Sequence, residues 1–119
     1  MGWFNEGTTN EGGRLFGFNE RVPGDFETLV IEDTVVSLSP QKLNPVSGTF
    51  ANIKARAAQV TLEDGDIRFR VDGGDPTSTE GHPFTVSTSL SITGTQALRQ
   101  FRAIRSGTVS GTVRVTYFY

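Results

Sequence analysis

RAAQVTLEDGDIRFRV, residues 56–71, is the stretch whose reading decides the fold class. In its first half Ala58, Val60 and Leu62 fall on one side and Gln59, Thr61 and Glu63 on the other. In its second half Ile67, Phe69 and Val71 oppose Arg68 and Arg70. A period of two is the spacing at which successive side chains leave opposite faces of a strand. Between the halves, Asp64-Gly65-Asp66 has the polar, glycine-centred chemistry of a turn and predicts a hairpin.

The same period extends outward in both directions. Upstream, FETLVIE (26–32) and TVVSL (34–38) read as strands parted by Glu32 and Asp33, and SPQKLNPVSG (39–48), with Pro40 and Pro45 about Leu43, allows one helical turn or a loop. Downstream, DGGDPTSTEGHP (72–83) is a long polar loop. Phe84, Val86, Leu90 and Ile92 then share one phase and Ser87, Ser89 and Ser91 the other, which predicts one continuous half-buried strand. GTQALRQF (94–101) allows a helical turn, RAIRSG (102–107) reads as a strand, and the tandem SGTV at 106–113 marks a turn. In TVRVTYFY, Val113, Val115, Tyr117 and Tyr119 are in phase. About seven or eight short strands without a long helix predict an all-β domain, an antiparallel β-sandwich or small jelly roll.

A chain of 119 residues suits one core. Without cysteine it has neither disulfides nor thiolate metal sites. Its apolar runs are far shorter than the roughly 20 residues that cross a bilayer, and no basic and apolar leader opens it, so a soluble protein without a signal peptide and without a membrane partner is expected. A net charge of −2 argues against nucleic acid as partner, because phosphate binding needs a basic surplus. The charge is uneven, however: after Glu80 the only charged residues are Arg99, Arg102, Arg105 and Arg114. Solvated arginines balanced by Glu63, Asp64 and Asp66 are the plain reading. Arg99, Arg102 and Arg105, at a spacing of three, also form a candidate secondary contact with a carboxylate-bearing protein surface.

Residues 1–25 differ from the rest, with six glycines and no period, yet with Trp3, Phe4, Leu15, Phe16 and Phe18. Glycine raises the entropy cost of ordering, whereas ordinary linkers are poor in aromatics. An extended arm (1–25) that orders against a partner or against its own domain (26–119) is the expectation. Trp3, Phe4, Arg14, Leu15, Phe16, Phe18 and Arg21 are its candidate partner-binding residues.

Catalytic chemistry is hard to assemble from these residues. Any Ser-His-Asp arrangement must run through His82, which lies in Gly81-His82-Pro83 and reads as an exposed turn histidine. One histidine and no cysteine do not make a usual zinc site. Asp64, Asp66, Asp72 and Asp75 offer oxygen ligands for calcium without EF-hand spacing, and aspartate suits turns in its own right. No glycine-rich loop leads into a helix to hold a phosphate. The expectation is a protein that is not an enzyme and uses no cofactor and no metal.

ARAAQVTLEDGDIRFRVDGGDPTSTEGHPF, followed by LRQFRAIRSGTVSGTVRVTYFY, resembles a group of small proteins encoded by tailed phages and prophages. That group carries A-R-x-A-x-V-x-x-E-D-G-x-I-R-x-R-x-D-G-x-D-P-T, then an F-R-A-I-R strand and a final V-x-V-x-Y strand. The likeness runs from Ala55 to Tyr117 and is most specific at Ile67 to Thr77 and Phe101 to Arg105. It implies a virion structural protein, a head decoration or cement protein on the capsid exterior whose partner is the major capsid protein. Similar decoration proteins imply a homo-oligomer, with a trimer as the expected form. Two alternatives stand beside this reading: another virion module (tail, fibre or head completion), and a carbohydrate-binding β-sandwich that would use Phe118, the one aromatic predicted outward near Tyr117 and Tyr119.

Overall fold

A strand with one apolar face satisfies its backbone sideways and its side chains against a second layer. The computed structural model, which describes residues 21–119, meets both needs with two four-stranded sheets. In chain order the elements are β1 (Pro23–Ile31), β2 (Val36–Ser37), α1 (Pro40–Leu43), β3 (Ala57–Glu63), β4 (Ile67–Arg70), β5 (His82–Phe84), β6 (Ser89–Thr93), α2 (Thr95–Gln100), β7 (Arg102–Arg105) and β8 (Gly111–Phe118).

The antiparallel pairs β1–β8, β2–β7, β3–β6 and β4–β5 are nested around a single hairpin, β4–β5. Further antiparallel pairs, β8 with β3 and β7 with β4, join them into the sheets β1-β8-β3-β6 and β2-β7-β4-β5. A long antiparallel ribbon folded over on itself gives this nesting, so the sandwich is a jelly roll.

Inward phases follow the alternation. Val60 and Leu62 of β3, Ile67 of β4, Phe101 and Ala103 at β7, and Val113, Val115 and Tyr117 of β8 are all buried. Removing one such aliphatic side chain from water stabilises the fold by about 1.5–3 kcal/mol. Phe69 and Val71 are partly buried against this core, and Phe69 stacks on Phe101 with centroids 5.7 Å apart.

The structure departs from the expectation at three places. Asp64-Gly65-Asp66 is not a hairpin, because β3 and β4 belong to different sheets; it is a corner between the layers. Gly65 is required there, since a Cβ would lie 2.5 Å from the Val109 carbonyl oxygen. The segment 84–92 is not one strand: β5 ends at Phe84 in one sheet and β6 begins at Ser89 in the other. Ser87 turns the chain at φ 71°, while the Asp66 carboxylate accepts the Val86 amide at 2.9 Å. Lastly, β1 begins at Pro23, ahead of Phe26.

Candidate functional site

In an antiparallel ribbon of this kind, β1 starts and β8 finishes at the same end of the sandwich, and the connections β2–β3, β4–β5 and β6–β7 lie there too. Both short helices belong to those connections. Pro40 opens α1 with φ already suited to a helix.

A buried cluster fixes α1 to the sheet. Glu27 lies on the inward face of β1, against the usual preference of a carboxylate. Its carboxylate accepts hydrogen bonds from the Tyr117 hydroxyl and the Ser39 hydroxyl, and from the Ser39 amide at 3.2 Å. Burial, then the hydrogen bond to Glu27, raises the Tyr117 phenol well above its ordinary range. Beyond it, Lys42 pairs with Asp25 at 2.9 Å, which holds the Asp25 carboxyl below its usual value. The Tyr119 hydroxyl donates to the Lys42 carbonyl, and the Tyr119 ring stacks on Phe50 with centroids 4.7 Å apart. Tyr119 is pushed up to about 12, chiefly by burial.

On the other side, α2 is held by buried Leu98, by the Gly94 amide on the Arg56 carbonyl at 2.8 Å, and by the Thr95 hydroxyl on the Ala55 carbonyl at 3.2 Å. Between the two helices opens a cleft of about 480 Å³. Leu38 and Ala55, both buried, form its apolar floor, with Leu43 on one wall. Lys54, Arg99 and Arg102 supply its charge, and among the described residues no carboxylate lines it. Arg102 is anchored by the Arg99 and Phe101 carbonyls, each 3.1 Å from the guanidinium, while Arg99 reaches only Gln96, at 3.4 Å. Among the described residues none of the three cations has an acidic partner; the ion pairs there are Lys42–Asp25, Arg70–Asp72 and Arg114–Glu63.

The expected arginine contact is therefore divided. Arg99 and Arg102 meet at this cleft, but Arg105, an odd number of residues along β7, points to the other face of the sheet. Its amide bonds the Glu32 carbonyl at the far end of the sandwich. Lys54 completes the cleft without having been singled out in the sequence, because only the folding of the 38–56 connection brings it beside α2. Trp3, Phe4, Arg14, Leu15, Phe16 and Phe18 lie outside the described residues. Arg21, half-buried, sits two residues before β1.

The acidic candidates are likewise dispersed. Asp64 and Asp66 precede β4, whereas Asp72 and Asp75 follow it at the opposite end. Asp64 accepts from the Thr112 hydroxyl at 2.6 Å. Asp72 clamps Arg70 through two hydrogen bonds, at 3.0 and 2.7 Å, and is lowered to about 2, first by that hydrogen bonding and then by the Gly74 amide. Among the described residues no three His, Cys, Asp or Glu side chains gather in a metal-binding group, and no helix is long and apolar enough to cross a membrane. His82 belongs to β5 rather than to a turn, and its ring lies 5.4 Å from Phe69. Phe118 is outward, opposite Ala57 and Pro23.

The outer faces of the two sheets contrast. That of β1-β8-β3-β6 presents Thr28, Thr112, Thr116, Gln59, Thr61 and Ser91 beside the exposed Arg114–Glu63 pair, and at its margin, on β1, Phe26 and Val30 are 52 % and 53 % exposed. Arg68, Arg70 and Arg102 share the outer face of the other sheet. Fold and surface thus define an eight-stranded jelly roll with a cationic cleft at its terminal end. Comparison of the chain with known protein families, with curated proteins and with solved structures finds no match.

Proposed function

We propose that this protein is a non-catalytic virion component of a tailed phage, a decoration or cement protein that binds the major capsid protein on the capsid exterior and stabilises the head. The observation that carries the reading is β1. It is nine residues long, it is an edge strand among the described residues, and it begins two residues after Arg21. Its outward row continues from Val22, 48 % exposed, through Phe26 and Val30. A long edge strand with exposed apolar side chains is a liability unless something covers it. A capsid subunit laid along that edge would pair its backbone and bury the row, as in strand addition. Trp3, Phe4, Phe16 and Phe18, with Leu15, Arg14 and Arg21, are the further contacts of this reading, because aromatic and arginine side chains dominate interface energies.

A trimer suits the same reading, since several weak contacts held together gain from effective concentration. The likeness to small phage proteins between Ala55 and Tyr117 supports the assignment to a virion, and the head is favoured over tail or fibre by the same resemblance.

Co-sedimentation with empty heads assembled from the major capsid protein encoded in the same genome tests the proposal. Because β1 begins at Pro23, the deletion that probes the arm stops at residue 20. The full chain is expected to pellet with heads, and the deletion and the double variant Phe26→Lys/Val30→Lys are each expected to bind at least about tenfold more weakly, the scale of losing one or two interface anchors. Heads that do not retain the full chain would overturn the reading. Reproducible glycan binding, lost on Phe118→Ala, would replace it with carbohydrate recognition.

A further inference from the structure

The cleft between α1 and α2 is not used by that edge-strand contact, and its chemistry specifies a ligand of its own. We propose that it receives an acidic peptide segment, in which glutamate or aspartate side chains flank an aliphatic one, supplied by the protein on which this chain docks; the identity of that donor rests on the capsid reading above, whereas the ligand chemistry does not.

Three cations converge on one opening while the chain as a whole carries a net charge of −2. Their concentration here, without an acidic partner among the described residues, leaves a local positive field that a bound carboxylate would relieve. Arg102 presents a guanidinium already fixed by two carbonyls, and a preorganised guanidinium loses little freedom when it binds a carboxylate through two parallel hydrogen bonds. Arg99, held only by a long contact to Gln96, is free to turn toward the same ligand.

The apolar part of the cleft decides between ligand classes. A bare phosphate would satisfy the cations and leave the apolar surface that Pro40 and Leu43 present there wet. A phosphate site also depends as a rule on backbone amides at a glycine-rich turn or helix start. Neither Pro40, which has no amide hydrogen, nor the six-residue α2 supplies a run of them. A peptide that alternates acidic and aliphatic side chains covers floor and rim together. An extended nucleic-acid strand needs a basic track with aromatic platforms, and among the described residues no aromatic lines the cleft.

The experiment uses the full chain, labelled for amide NMR, and three probes: an acetylated, amidated Glu-Leu-Glu-Leu-Glu peptide, its Gln-Leu-Gln-Leu-Gln counterpart, and inorganic phosphate. The glutamate peptide is expected to shift the amides of Lys54, Thr95 and Arg99 saturably, with affinity falling as salt is raised. The glutamine peptide and phosphate are expected to leave those amides unchanged at the same concentration. Arg99→Gln and Lys54→Gln, both at positions whose side chains no acidic group among the described residues pairs with, should each weaken the glutamate peptide about three- to tenfold with the remaining spectrum intact.

Equal shifts from the glutamine peptide, no shift from the glutamate peptide, or full affinity in both variants would overturn the proposal. Phosphate shifting the same amides as strongly as the peptide would overturn it in favour of a small-anion site. Since no capsid is present, peptide binding by a chain that ignores heads would refute the capsid reading alone, and head binding without peptide binding would refute the cleft alone.

Discussion

Glu27 faces the interior of the sandwich and accepts hydrogen bonds from Tyr117 and Ser39, so a carboxylate and a phenol occupy places that the alternation of β1 and β8 would give to apolar side chains. In FETLVIE Glu27 shares the phase of Leu29 and Ile31, but nothing in the local sequence identifies its partners, which lie 12 and 90 residues away. The cluster has a pH signature. Tyr117 and Tyr119 are the only tyrosines, and burial raises both above the ordinary value of about 10. A phenol whose folded value is raised contributes stability that is complete below the unfolded value and is lost as pH climbs through the folded one. The fold should therefore be indifferent to tyrosine up to about pH 10 and lose stability from there toward about 12. Phenolate absorbance near 295 nm should appear only together with loss of the far-ultraviolet strand signal. Phenolate forming near pH 10 in a chain whose strand signal is unchanged would refute this account of the cluster.

Among the elements, β3, β4 and β8 were legible because each alternates over four or more residues with one face buried, the arrangement in which period and burial agree. The connections were not. Whether Asp64-Gly65-Asp66 closes a hairpin or crosses between layers depends on which strands compete for the edges of β3 and β4. The winners, β8 and β7, come more than 30 residues later. Likewise Phe84 to Ile92 keeps one phase across a break, because the break is made by Ser87 and by the Asp66 carboxylate from another loop. Ser87 in the left-handed region gives this corner a measurable cost. A non-glycine residue there is disfavoured by roughly 1–2 kcal/mol, part of which glycine's greater unfolded-state entropy takes back. Ser87→Gly is expected to raise stability in urea by up to about 1 kcal/mol, and Ser87→Val to lower it by at least as much. A destabilised glycine variant would mean that the serine side chain, not the backbone, holds the corner.

On the scale of the whole molecule, the jelly roll separates two surfaces that the sequence presents in mixed order. Among the described residues β1 is an edge strand, with Val22, Phe26 and Val30 exposed along it. The cleft at the same end is cationic around an apolar floor. Arg99 and Arg102 could be read as a pair from the basic character of the last third. Lys54, Leu38 and Ala55 could not, because their meeting depends on how the 38–56 connection packs beside α2. These two surfaces are the ones through which we propose that the protein holds others together. A protein that binds an assembled shell but not its separated subunits must stabilise the shell by mass action. Scanning calorimetry of empty heads, alone and saturated with the full chain, measures this directly. The account predicts that the head transition moves upward with added protein and that a chain lacking residues 1–20 produces a smaller shift. An unchanged head transition at saturating protein would contradict it.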